Sequence, residues 1–303
     1  MEASSSGDAA PSIEADLAAA VTDEDVAFYR RHGWWISPPI VPSSVLDAAE
    51  RGMARFYAGE IDHELALRDG RPFRPGWRPG DPEDALRKND DASLMVDELA
   101  ALVHTPAIAA VAARLSGAPG IRLWHDQLLF KPVDAPGVMG NVGWHTDRQY
   151  WQTCTSEEML TAWVPFHDVD ETTGAVTFLD GSHLLDLPRG DFFGQDLDAI
   201  RESLGPAAAG LEARTVVMRR GQVSFHHCRT VHGSGPNRSV HPRRVLAIHL
   251  QPSDNRYRDA VGPDGVPLHH TNDLLVRLVD GVPDYSDPEW CPELWPLRTG
   301  PVA

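Results

Sequence analysis

The feature that most constrains this chain is a change of hydrophobic period at Gly120. Before it, apolar residues recur at helical spacing. Thr22 followed by Glu24 and Asp25 opens a short helix that Gly33 closes, and Trp34, Trp35 and Ile36 read as a strand. Ser43 or Ser44 caps a second helix, about Val45 to Ala58, and a helical pair covers about Ala92–Val103 and Pro106–Ser116, ended by Gly117. After Gly120 the period falls to two. Ile121–Pro132, Val142–Trp151, Leu160–Asp168, Ala175–Asp180, Arg214–Met218, Gln222–His227 and Val245–Gln251 read as strands. Turn pairs such as Pro136-Gly137, Thr173-Gly174 and Arg220-Gly221 separate them. Helices first and many short strands after predict an α+β chain, a β-barrel or two-sheet sandwich with helices packed outside. Residues 59–90 read as loop, 184–213 as a Gly- and Asp-rich excursion, and about Asn272–Val279 as one helix in the tail. Residues 1–20, small and acidic, read as disordered, which leaves 21–303 as a single domain with its β core at about 121–252.

The sharpest local pattern is Gly143-Trp144-His145-Thr146-Asp147. On a strand, residues i and i+2 face one side, so His145 and Asp147 present an imidazole and a carboxylate to one ion. Two His and one carboxylate on one face, with the other face open, is the ligand set of iron(II) oxygenases. That set needs a distant second His. Candidates are His167, His183, His226, His227, His232, His241 and His249. His232 begins His-Gly-Ser-Gly-Pro-Asn-Arg-Ser, and eleven residues later Arg243, beside Arg244, starts the next strand. An Arg there pairs bidentately with a dicarboxylate whose other end chelates the metal. The HxD alone is a weak signal; HxD, distal His and following Arg together are much more specific. His226 and His227 read as packed or surface histidines.

Charge narrows the partners. Against 27 Lys+Arg stand 44 Asp+Glu, a net charge of −17, which argues against non-specific binding to nucleic acid or anionic membranes. No run is read as a membrane-spanning helix. Cys154, Cys228 and Cys291 are scattered with no CxxC, as in a cytoplasmic protein with reduced thiols. Lys88 and Lys131 are the only lysines among those 27 basic residues. A lysine kept against such an arginine bias hints that an ammonium is wanted there.

Together these stretches resemble the phytanoyl-CoA dioxygenase family of Fe(II)- and 2-oxoglutarate-dependent oxygenases. The resemblance is carried by Trp124-His125-Asp126-Gln127 with Lys131-Pro132, by Gly143 to Asp147, by Thr161 to Phe166, by Asp180-Gly181-Ser182-His183, and by His232 to Arg243, over roughly residues 22–252. It implies a double-stranded β-helix core, jelly-roll or cupin-like, that uses Fe(II), 2-oxoglutarate and O2. It makes His145, Asp147 and His232 the iron ligands. It makes Arg243 the partner of the distal 2-oxoglutarate carboxylate, Ser234 a second contact to it, and Lys131 and Trp163 further cosubstrate-side positions. The family has Pro before Gly-Ser-His where this chain has Asp180. Members that chlorinate carry a small residue in place of the carboxylate, so Asp147 disfavours halogenation.

The implied reaction is hydroxylation of an unactivated C–H in a small metabolite, with release of succinate and CO2. Desaturation, ring closure and epoxidation would begin the same way. Tyr150 and Trp151, just after the HxD, are candidate substrate contacts, as are Arg74 and Trp77 in the Arg-rich loop 68–78. A monomer or homodimer fits. The rival reading is a cupin-like metal-dependent isomerase or hydrolase that does not use 2-oxoglutarate; only an oxoglutarate site requires Arg243 and Lys131.

Overall fold

Thr22 opens the first helix, α1 (Asp23–His32), with a reciprocal cap. Its hydroxyl accepts from the Asp25 N–H, while the Asp25 carboxylate takes the Thr22 N–H. Gly33, at φ 78°, ends the helix and turns the chain into β1 (Trp34–Ile36). The computed structural model describes residues 21–73, 76–82, 84–138, 140–186 and 194–296. The segment 1–20, expected to be disordered, lies outside them.

Three more helices precede the barrel: α2 (Ser43–Tyr57), α3 (Asp97–Val103) and α4 (Pro106–Ser116). Pro106 sits at the start of α4, where its missing N–H costs nothing. The stretch Asp97–Ser116 is long and apolar enough to cross a bilayer by length and composition. It is nevertheless two helices, and Leu99, Leu102, Ile108, Val111 and Leu115 are buried in the main core. Its hydropathy reflects core packing.

The strands continue as β2 (Arg87–Asp90), β3 (Ile121–Lys131), β4 (Val142–His145), β5 (Leu160–Pro165), β6 (Thr177–Leu179) and β7 (Ala213–Thr215). Then come β8 (Ser224–His227), β9 (His232–Ser234), β10 (Arg243–Pro252), β11 (Leu278–Val279), β12 (Val282–Pro283) and β13 (Glu293–Trp295). A large antiparallel sheet has the order β1-β8-β5-β10-β3-β13, with β2 also on β3. A smaller one has the order β4-β9-β6-β7. This is the jelly-roll arrangement, and a cavity of about 450 Å³ is lined by residues of both sheets.

Alternation along β10 shows how the sheet divides its faces. Leu246, Ile248 and Leu250 join the core that also holds the helices. Arg243, Ala247 and His249 line the cavity. On β3 the pairing slips between His249↔His125 and Leu250↔Leu123, leaving Trp124 as a bulge. The bulge lets Leu123 stay with the helix-side core while His125 turns into the cavity.

Elsewhere the boundaries differ from expectation. The tail helix is one turn, α6 (Asn272–Leu275), and α5 (Leu197–Ser203) lies in the excursion. Leu278–Val279 pairs with Val282–Pro283 across Asp280 (φ 52°) and Gly281 (φ 82°). Positive φ at both central residues is what a tight hairpin requires, and Asp-Gly supplies it. β2 falls inside the segment read as loop.

Candidate metal centre

His145 closes β4 and His232 opens β9, and the two are direct cross-strand partners. Each imidazole places Nδ1 on a carbonyl two residues back: His145 on Gly143 O at 2.7 Å, His232 on Thr230 O at 2.9 Å. Both rings therefore donate from Nδ1, which makes Nε2 the nitrogen that carries the lone pair a metal would take. Asp147 comes two residues after the strand end, in a turn closed by Thr146 and Gln149. Its Oδ1 lies 3.9 Å from His145 Nε2 and 3.7 Å from His232 Nε2. One ligand atom from each of the three lies within 4.8 Å of the others, a group that could hold a metal ion.

Burial, and then the charge of the neighbouring imidazole, lowers both His145 and His232 to about 4, so both are neutral near pH 7. Burial would raise Asp147, but His232, the adjacent His226 and His249 outweigh it and hold the carboxyl well below the ordinary range. Two neutral imidazoles and one carboxylate on a single face are a donor set suited to Fe(II).

The other oxygen of Asp147 is held from the large sheet. His125, His249, Thr161 and His226 stand side by side across β3, β10, β5 and β8, each the register partner of the next. The Thr161 hydroxyl donates to Asp147 Oδ2 at 2.6 Å and lies 2.7 Å from His249 Nδ1. His226 Nε2 is 3.3 Å from the same carboxylate oxygen. This rung escapes sequence reading because its members are far apart in the chain. His226, read as a packed histidine, does pack against Phe178 and His232, but it also braces Asp147.

Arg243 and Lys131 are register partners on β10 and β3. The Arg243 guanidinium lies over the Trp163 ring at 5.3 Å and donates to Gly174 O. It is 2% exposed, and burial lowers its pKa to about 9. Its Nε has no hydrogen-bond partner, and no carboxylate pairs with it among the described residues. A buried cation without an anion is costly, so the site fits a dianionic cosubstrate. Arg244 faces the other way, near Glu50.

Lys131 departs from its expected place. Its ammonium donates to Ser234 Oγ (2.7 Å), Ser234 O (3.3 Å) and Gly235 O (2.6 Å), and burial, then Arg243, lowers its pKa to about 6. Ser234, Trp163 and Arg243 line the cavity; Lys131 stands behind Ser234.

Tyr150 and Trp151 also line the cavity, Trp151 packing its ring against His125 and His249. Trp77 does not: it packs against Tyr57 and Arg87, and its Nε1 donates to Pro82 O. In the same loop Arg68 is spent on the carbonyls of Asp273 and Val276. Arg74 lies outside the described residues. Asp180, which departs from the family's Pro, accepts from Trp34 Nε1 at 2.8 Å and meets His32 at 2.9 Å, tying α1 and β1 to the loop.

The phytanoyl-CoA dioxygenase (PhyH) family model matches residues 29–245. A probable alpha-ketoglutarate-dependent hypophosphite dioxygenase of Stutzerimonas stutzeri is 30% identical over 194 residues, covering 61% of this chain and 64% of that protein. The peroxisomal phytanoyl-CoA dioxygenase of Bos taurus is 25% identical over 187 residues, 59% of this chain and 53% of that enzyme. The chain thus spans less than two thirds of the length of either relative. Among solved structures, the non-heme alpha ketoglutarate dependent epimerase SnoN from nogalamycin biosynthesis is similar at TM-score 0.67 and 27% identity, covering 89% of this chain and 97% of that one. The carbocyclase SnoK of the same biosynthesis is similar at TM-score 0.63 and 25% identity, covering 83% and 95%.

Proposed function

The chain belongs to the phytanoyl-CoA dioxygenase family of Fe(II)- and 2-oxoglutarate-dependent oxygenases, and on that premise we propose that it hydroxylates an unactivated C–H of a small molecule, with succinate and CO2 as coproducts. Bound Fe(II) and 2-oxoglutarate together supply the activation of O2. The chain's own groups do the rest. His145 Nε2, Asp147 Oδ1 and His232 Nε2 would hold the iron. Arg243 pairs with the distal carboxylate of 2-oxoglutarate, Ser234 adds its hydroxyl, and Trp163 walls the same end. Lys131 acts through Ser234, which it holds in place. Trp151 and Tyr150 wall the substrate end.

The observation that carries this reading is the pairing of the three-ligand group with a buried Arg243 that has no carboxylate partner among the described residues. A metal-dependent isomerase or hydrolase would have no use for that arginine. Anaerobic addition of Fe(II) and 2-oxoglutarate should produce the visible metal-to-ligand charge-transfer band, and its absence in folded protein would sink the proposal. Product mass then separates hydroxylation, which adds one oxygen, from the epimerisation and ring closure named for SnoN and SnoK.

A further inference from the structure

The wall of the cavity around the Trp124 bulge offers a set of buried hydrogen-bond acceptors. Asn272 is 1% exposed. Its amide nitrogen donates to Trp124 O, which fixes the side chain and leaves Oδ1 without a partner. His249 is 4% exposed. The single proton of the Thr161 hydroxyl goes to Asp147, so His249 must donate from Nδ1 to Thr161 and keep its lone pair at Nε2. That Nε2 has no partner either.

Asp91 completes the wall. It is 3% exposed and lies beside β3, its N–H on Asp126 O at 2.9 Å. Among the described residues no cation pairs with it, and burial, then Asp126 and Asp90, holds its carboxyl well above the ordinary range, which favours the neutral, protonated form. Its backbone is left-handed at φ 56°, a conformation Asp adopts more readily than most residues. Asp91, His249 and Asn272 all line the cavity that contains the metal centre. Lys88, the cation at this end, sits 3.8 Å from Asp90.

Buried acceptors left unmade are expensive, and the missing donors must come from what binds. Resting on the oxygenase reading, we propose that the substrate is a small molecule rich in hydrogen-bond donors, a polyol or an amine, held at the Trp124 bulge by His249 and Asn272, with Asp91 beside them.

The test uses the full chain loaded with Fe(II) and 2-oxoglutarate. Stimulated succinate release is measured with myo-inositol, glucosamine, the fully methylated counterpart of each, and an acyl-CoA. The donor-bearing compounds are expected to stimulate and their methylated forms not; inositol against glucosamine separates polyol from amine. Asn272→Ala should raise KM for the better compound about ten- to hundredfold, while the 2-oxoglutarate affinity read from the charge-transfer band stays at its wild-type value. The inference is overturned if no donor-bearing compound outperforms its methylated counterpart, if the acyl-CoA is the stimulating compound, or if KM does not move in the variant. Loss of the band in wild-type protein would instead overturn the oxygenase reading beneath it.

Discussion

The Thr161 hydroxyl lies 2.6 Å from Asp147 Oδ2 and 2.7 Å from His249 Nδ1, so one proton on one side chain orients both the carboxylate and the imidazole. Thr161→Val keeps the shape and removes that bond. Outer partners of metal ligands are typically worth about 10- to 100-fold in metal affinity. Iron titration should show a loss of that order. An unchanged affinity would mean the bond is incidental.

His226 braces the same oxygen from β8 without reaching the ligand group. His226→Ala should weaken iron binding about tenfold, and saturating Fe(II) should restore most succinate production. His145→Ala and His232→Ala each remove a proposed ligand, and excess iron should not rescue them. Full loss in His226→Ala even at saturating iron would move the ligand assignment to His226.

Arg243 and Lys131 face the cosubstrate end differently, one on the cavity wall and one behind it. Losing a partner of a buried charge costs about 3–5 kcal/mol. Arg243→Ala should therefore weaken 2-oxoglutarate binding on the order of 10²-fold or more, with iron affinity kept. Lys131→Met removes the ammonium that holds Ser234, and should cost about tenfold, one hydrogen bond to a charged group. It should add little in a Ser234→Ala background. Additive losses in the double variant would show that Lys131 contacts the cosubstrate itself.

Much of this was legible before any coordinates. The period change at Gly120, the Thr22 and Gly33 caps, and the HxD with its distal His and Arg are all local or nearly local patterns, and the structure brings His145, Asp147 and His232 into one group. What could not be read is lateral. The rung of His125, His249, Thr161 and His226 depends on the register of four strands, and the direction of His125 depends on a one-residue bulge. No spacing in the chain encodes either. Lys131 was noticed because lysine is scarce, yet its contacts with Ser234 and Gly235 follow only from the pairing of β3 with β10 and the return of the chain after β9.

Asp126 carries the last prediction, on stability. It sits next to His125 but faces away from the cavity, where the Ser93 hydroxyl donates to it at 2.6 Å. Burial raises its pKa to about 7; the Ser93 bonds oppose this and the charge of Asp90 adds to it. The folded chain therefore holds a proton that the unfolded chain releases near 3.8. Stability from that proton is present in full below the unfolded value and is lost as pH rises through about 7. Asp126→Asn keeps an acceptor for Ser93 and has no charge to bury. The Tm difference between variant and wild type should grow in the variant's favour between about pH 5 and 8, reaching at least about 2 °C. A difference that stays flat across that range would mean Asp126 is ionised in the folded protein at pH 5.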